Sequence, residues 1–240
     1  MNCLGIDTTD FSIDLALVRD GKLILERQNK GLSVAEYLIP RIEELLAESG
    51  LTLKELDKIG IINGPGSYTG IRSGLATVLG MKLANFSENF QVVGLSKLKA
   101  QALWALSAPE PIIIFSLLTA NEKEFYATAY LGLLKNSESA KAAMLYELTP
   151  PVNIIKEEVS EFEQSIFINL KNFSAAQIKE YNLTNKFVEV LDSQINYATL
   201  AANWAWQTTT DTQNEIYSLK PLYIKSVNAK TIEERKIVES

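Results

Sequence analysis

The sequence predicts an α/β protein of two lobes, each a mixed sheet with flanking helices. Three observations predict it. Apolar runs of strand length alternate with segments of helical periodicity, the pattern of α/β architecture. The order strand-strand-strand-helix-strand-helix-strand-helix occurs twice, with no obvious similarity between the copies. Between them stands Ala108-Pro109-Glu110-Pro111, a breaker that divides the chain into lobes at 1–108 and 109–225, with a charged tail at 226–240.

In the first lobe, residues 3–7 read as a buried strand and 12–19 as a second. Asp20-Gly21 is a two-residue hairpin signal, so Lys22 to Gln28 is the third strand. Residues 33–48 form an amphipathic helix with Val34, Ala35, Leu38, Ile39, Ile42, Leu45 and Leu46 on one face. Pro40 falls on its polar side and should kink it. Thr52 and Glu55 have capping-box spacing. A strand at 58–63, a glycine loop, a helix from Ile71 to Phe86, a strand from Gln91 to Leu95 and a Ser96-capped helix through Leu106 complete the lobe. In the second lobe, Ile112–Leu118, Glu124–Tyr130 and Met144–Leu148 read as strands, and Pro150-Pro151 breaks the chain. A helix, a strand at Ser165–Asn169, a helix at Ser174–Tyr181, a strand at Phe187–Leu191 and a helix at Tyr197–Thr208 follow.

Composition bounds the chemistry. The 240 residues are 47% apolar, enough for a sizeable core, and carry a net charge of −6 with no dense Lys/Arg patch. Nucleic-acid binding by the chain alone rests on phosphate neutralisation and is disfavoured. The chain has no histidine. That removes Ser-His-Asp and Cys-His catalysis and every His-ligated zinc site. The lone Cys3 allows no intramolecular disulfide, which fits a reducing, cytoplasmic setting. No signal peptide and no run long enough for a transmembrane helix is visible, so no membrane association is expected. No catalytic residue and no metal site is assigned.

The loop Asn63-Gly64-Pro65-Gly66-Ser67-Tyr68-Thr69-Gly70-Ile71-Arg72 organises the first lobe. Gly64, Gly66 and Gly70 permit a turn that follows backbone angles open to glycine, and Ser67 and Thr69 can cap the outgoing helix. Two readings stand: an anion site for phosphate or carboxylate at a helix start, or a tight strand-to-helix connection. The loop lacks the Walker lysine and is one residue off the dinucleotide fingerprint. In the helix it starts, Ile71, Leu75, Val78, Leu79, Leu83 and Phe86 gather on one side, and Ser73, Ala76, Thr77, Gly80 and Ala84 on the other. Small residues at this spacing usually mark a crowded internal contact; here the large face supplies the core contact, which leaves the small face for something else, another subunit being one candidate.

The run Gly64 to Thr77 closely resembles the signature of the TsaB (YeaZ) family, of the actin/sugar-kinase/Hsp70-like superfamily. The segment Pro221-Leu222-Tyr223-Ile224-Lys225 is similar to that family's P-x-Y-[LI]-[RK] ending. The resemblance implies two actin-like (ribonuclease H-like) lobes, which the doubled element order also suggests. It implies a non-catalytic subunit in making threonylcarbamoyladenosine at position 37 of tRNA. The implied partners are a TsaD-like catalytic paralogue, which holds the metal, and a TsaE-like P-loop ATPase. tRNA would be met only through the complex, and a homodimer could form when the partner is absent. The implied interface uses the helices at 33–48 and 71–86, through Val34, Leu38, Ile42, Ser73, Ala76, Thr77, Gly80 and Ala84. No cofactor is intrinsic, and ATP/Mg²⁺ is left a place only at a subunit junction.

In superfamily ATPases a turn like Asp7-Thr8-Thr9-Asp10-Phe11-Ser12 holds phosphate and orients Mg²⁺ through its aspartate. Asp7 could do so here, with Thr8, Thr9 and Ser12 as hydroxyl donors; alternatively these groups satisfy the turn's own backbone. The ATPases usually carry glycine where this chain has Thr-Thr-Asp. Arg72 meets either an anion or a carboxylate on a partner, or else a local acid such as Asp7. Thr119 and Asn121 stand where the family usually has Asp and Arg, while Glu124 and Tyr126 match, and Leu32-Ser33 stands where a His-Ser pair is common. Trp104, Trp204 and Trp206 lie in helices without basic neighbours and read as packing; Glu157-Glu158 and Glu233-Glu234 read as solvated surface. The alternative function is a stand-alone actin-like-fold ATPase or small-molecule kinase. A glycoprotease would lack its machinery.

Overall fold

The computed structural model describes residues 1–84, 90–106, 112–137, 140–161, 187–190, 195–208 and 219–224. Strands β1 (Asn2–Asp7), β2 (Ser12–Arg19) and β3 (Lys22–Lys30) form an antiparallel meander. Asp20 and Gly21 both take positive φ, 51° and 76°, the backbone that a two-residue hairpin turn requires. Strands β4 (Lys58–Ile62) and β5 (Gln91–Leu95) join parallel to β1, giving the order β3-β2-β1-β4-β5. This is the sheet of a ribonuclease H-like lobe, as expected. β1 and β2 are buried on both faces, whereas β3 is an exposed edge.

The second sheet repeats the plan. Strands β6 (Ile112–Thr119), β7 (Glu124–Ser137) and β8 (Ala140–Glu147) run antiparallel, and β10 (Phe187–Val190) lies parallel to β6, as β4 lies beside β1. β7 and β8 are longer than expected. Strand β9 (Val152–Ile155) stands where a helix was expected to start; its Val-Asn-Ile-Ile run pairs with the first half of β7, a 3-10 turn follows at Lys156–Glu158, and α-helical residues begin only at Val159. The expected strand at Ser165–Asn169 and helix at Ser174–Tyr181 lie outside the described residues, as do the tail at 226–240 and Glu233-Glu234.

Helix α1 (Val34–Glu48) runs across Pro40 as one element, with Pro40 exposed. Its buried face is narrower than expected: Leu38, Ile42, Leu45 and Leu46 are inside, whereas Ala35 is exposed and Ile39 is 55% exposed. Helix α2 (Tyr68–Ala84) starts three residues before Ile71. Its core face is Gly70, Ile71, Gly74, Leu75, Val78 and Met81. The two buried glycines let α2 lie against Thr8, and this rotates the helix so that Leu83, expected in the core, is 72% exposed. Leu79 is half-buried, and Phe86 lies outside the described residues.

Two helices do not stay with their own half. Helix α3 (Lys97–Ala105), capped by Ser96 Oγ accepting from the Lys99 amide at 3.1 Å, packs on β6 and β7 of the second sheet. Helix α4 (Tyr197–Gln207), assigned by sequence to the second lobe, packs on β1, β4 and β2 of the first. It presents Ala198, Ala201, Ala202 and Ala205, all fully buried. They meet strands that carry Gly5 and Gly60, where an added Cβ would lie 1.8 Å and 1.9 Å from the carbonyl oxygens of Ala198 and Ala201. A hydrophobic cluster of Ile62, Leu95, Leu106, Ile114, Tyr130 and Tyr197 joins the two halves.

Candidate functional site

The glycine loop leaves β4 and folds back onto the β1–β2 turn. Gly64 and Gly66 have φ of 121° and 154°, a region that other residues rarely adopt. A Cβ on Gly66 would lie 2.4 Å from the Thr9 carbonyl oxygen, and one on Gly70 would lie 2.0 Å from that of Thr8. The loop amides are used inside the protein. Ser67 N–H donates to Thr9 O at 2.6 Å, and Gly70 N–H donates to Ser67 Oγ at 3.2 Å. Ser67 therefore caps α2, while Thr69 is inside its first turn and does not. Lys97 N–H donates to Gly64 O at 2.7 Å, which ties the loop to α3.

The β1–β2 turn is closed as well. Asp7 is 3% exposed, and its Oδ1 accepts from the Thr9 amide at 2.8 Å and the Thr9 hydroxyl at 2.7 Å. Thr8 Oγ1 donates to Gly70 O at 2.9 Å, and Ser12 bonds the Asp14 carboxyl. Asp7, Thr8, Thr9 and Ser12 are all buried, and each makes these bonds within the chain. Burial pushes the Asp7 carboxyl up from its ordinary value, opposed by Lys97 and by the Thr9 hydrogen bonds.

Arg72 is not paired with Asp7. It lies on the surface with its guanidinium 4.0 Å from the Tyr68 ring centroid, and its Nε–H donates to the Tyr223 hydroxyl at 3.0 Å. Tyr68 and Tyr223 are stacked, with centroids 5.2 Å apart. Residues 219–223 form a strap over the loop: Leu222 N–H donates to Asn63 O at 2.8 Å, and Asn63 Nδ2 donates to Lys220 O at 3.0 Å. Thr119 to Tyr126 span the end of β6, the β6–β7 turn and the start of β7; in the turn Asn121 Oδ1 accepts from the amides of Lys123 and Glu124.

Sequence reasoning missed Lys97. It is the first residue of α3 and only 2% exposed, with Nζ 2.7 Å from Asp10 Oδ2 and 4.5 Å from the Tyr197 ring centroid. The available signal was a lysine directly before Leu98 at a helix start that follows a buried strand. Beside it is a cavity of ≈520 Å³, lined in part by Asp10, Phe11, Asp14, Lys30 and Tyr197. Burial, with Asp7 nearby, pushes the Asp14 carboxyl up to about 6. Among the described residues, no group of three or more His, Cys, Asp or Glu is placed to hold a metal. One tryptophan does have a basic neighbour: Lys99 Nζ lies 4.3 Å from the Trp204 ring centroid. Trp206 covers Gly21.

The expected partner surface becomes a groove between α1 and α2. It has a volume of ≈740 Å³, and its lining includes Ile39, Leu46, Ala76, Thr77, Gly80 and Ala84. Ala76, Gly80 and Ala84 are exposed and Ser73 and Thr77 half-buried, and a Cβ on Gly80 would meet nothing within 4 Å. Leu38 and Ile42, expected at this surface, are 1% and 2% exposed, because α1 turns them onto the sheet; Ile42 still lines the groove, whereas Leu38 does not, and Val34 is half-buried against the same core. Ile39, expected in the core, lines the groove beside Ile42.

The family model described as TsaD: tRNA N6-adenosine threonylcarbamoyltransferase matches residues 33–231. The tRNA threonylcarbamoyladenosine biosynthesis protein TsaB of Haemophilus influenzae is 26% identical over 236 residues, 94% of each chain. The Bacillus subtilis protein of that name is 36% identical over 78 residues, 31% of this chain and 33% of that one. YeaZ from Pseudomonas aeruginosa has the same fold, with a TM-score of 0.61 and 20% identity over 92% of this chain and 99% of that one. With the family model matched across most of its length, the chain belongs to this threonylcarbamoyladenosine family, in its TsaB (YeaZ) group.

Proposed function

We propose that the chain is a non-catalytic subunit of the machinery that makes N6-threonylcarbamoyladenosine in tRNA. It holds a TsaD-like catalytic paralogue in its active arrangement, and a TsaE-like P-loop ATPase joins them. The observation that carries this reading is the apolar groove between α1 and α2, with Ile39 and Leu83 exposed on those helices and an open, small-residue floor at Ala76 and Gly80. Exposed apolar surface of this kind marks an interaction site, and small residues let another helix come close. Family membership names the reaction to which the partner belongs. The net charge of −6 agrees with tRNA being held chiefly by the partner.

The test is an omission assay. The organism's TsaD-like and TsaE-like proteins, the enzyme that forms threonylcarbamoyl-adenylate, ATP, threonine, bicarbonate and tRNA are combined with and without this chain. Threonylcarbamoyladenosine is then quantified by mass spectrometry. Product that depends on the chain is the expected outcome, and equal product without it removes the role. Gly80→Leu fills the groove floor, so complex formation should weaken by about tenfold or more while the monomer stays folded. A variant that still assembles normally would show that the groove is not the interface.

A further inference from the structure

Superfamily ATPases bind Mg·ATP at the junction of their lobes, with phosphate on the turn after the first strand. The residues of this chain do not fit that group. We infer that Lys97 is a built-in counter-ion which closes this turn, and that the turn takes no Mg·nucleotide.

Three observations carry the inference. The carboxylate that would orient a metal, Asp7, is buried and bonded through Oδ1 to the Thr9 amide and hydroxyl. The glycine loop lies directly on this turn. Ser67 N–H donates to the Thr9 carbonyl at 2.6 Å, and Gly66 lies so close that a Cβ would be 2.4 Å from the same oxygen. No anion enters between these two segments without parting them. Third, the positive charge is already present. Lys97 brings an ammonium to the turn from α3, bridges to Asp10 at 2.7 Å, and acts electrostatically on Asp7 and Asp14 as well. Its backbone amide bonds Gly64 O at 2.7 Å, so one residue fastens both the turn and the glycine loop. Lys30, which lines the adjoining cavity from β3, is the other cation there. A lysine this buried is retained only where acids compensate it.

The test uses the full chain in three steps. Mg·ATP is titrated into the wild type by calorimetry, and unfolding temperatures are measured with and without it; no heat of binding and no shift are expected. Binding with a Kd below about 1 mM would overturn the inference. Lys97→Ala is then compared with the wild type. Loss of the cation should lower Tm by on the order of 5 °C. Ethylammonium chloride, small enough for the space the side chain leaves, should restore the variant's Tm, whereas sodium chloride at equal concentration should not. The wild type should gain nothing from ethylammonium. An unchanged Tm in the variant, or a loss that ethylammonium fails to recover, overturns the counter-ion role. If Lys97→Ala does not fold unaided, its refolding from urea is followed with each salt, and no gain specific to ethylammonium counts equally against the role. Asp10→Asn, whose side chain is 58% exposed, should fold, lose a smaller part of the Tm and still bind no Mg·ATP.

Discussion

At the scale of single residues, Asp14 makes a prediction about pH. One of its carboxylate oxygens is buried without a hydrogen-bond partner, and burial raises its pKa to about 6 from the ordinary ~3.9. A carboxyl whose folded pKa is raised stabilises the protein below its unfolded pKa. That stability is lost as pH rises through 6. Asp14→Asn should therefore be more stable than wild type at pH 8, by about 1 kcal/mol after allowing for solvent screening at this half-buried site, and should lose most of that advantage at pH 4. Thermal melts at both pH values check it, and a pH-independent difference would refute it. Cys3 is buried with its thiol pushed up to about 11, so it should stay unmodified by alkylating reagents until the protein unfolds. Residue identity in the sequence already marked Asp7 and the loop glycines as special. Of its two readings for the turn, the one in which these groups satisfy the turn's own backbone describes Asp7, which accepts from the Thr9 amide; the packing of the glycine loop on that turn was not legible in it.

At the scale of elements, glycines separate two kinds of contact. Gly5 and Gly60 in β1 and β4 let the backbone of α4 rest directly on the sheet. Gly60→Ala must push α4 away and should cost about 3 kcal/mol, read by urea unfolding. Gly80, on α2, faces open space. Gly80→Ala should instead stabilise the monomer by about 0.5–1 kcal/mol, since alanine is the better helix former. A Gly60→Ala variant as stable as wild type would mean that α4 does not sit on the strands this closely. Helix periodicity placed α1 and α2 correctly in the chain but misplaced the edges of their buried faces. A 3.6-residue pattern shows which residues share a side, yet it cannot show how the helix is rotated over its sheet. The approach of Gly70 and Gly74 to Thr8 fixes that rotation, and so turns Leu83 outward.

At the scale of the whole molecule, the two halves are fastened by exchange. α3 packs on the second sheet, α4 on the first, and the strap at 219–223 returns to the glycine loop. Leu219, far along the chain, sits in the core of the first sheet beside Gly94. Leu219→Ala should cost about 2–3 kcal/mol. It should lower the melting of both halves together in one transition, because each half holds a helix of the other. Two separate transitions, with only one displaced, would show that the lobes are energetically independent.

The sequence by itself determined the strand and helix order of the first lobe, the Asp20-Gly21 turn, the Ser96 cap, the doubled plan of the sheets and the family. Each of these rests on local periodicity, turn chemistry or a contiguous motif, which neighbouring residues encode together. Only the tertiary structure decided which lobe α3 and α4 serve, that Arg72 lies against tyrosines rather than acids, that Leu38 and Ile42 are core, and that Lys97 stands at the closed turn. Those outcomes depend on contacts between segments far apart in the chain. Charge and apolar pattern leave the pairing of such segments open until close packing against particular glycines and alanines selects one arrangement.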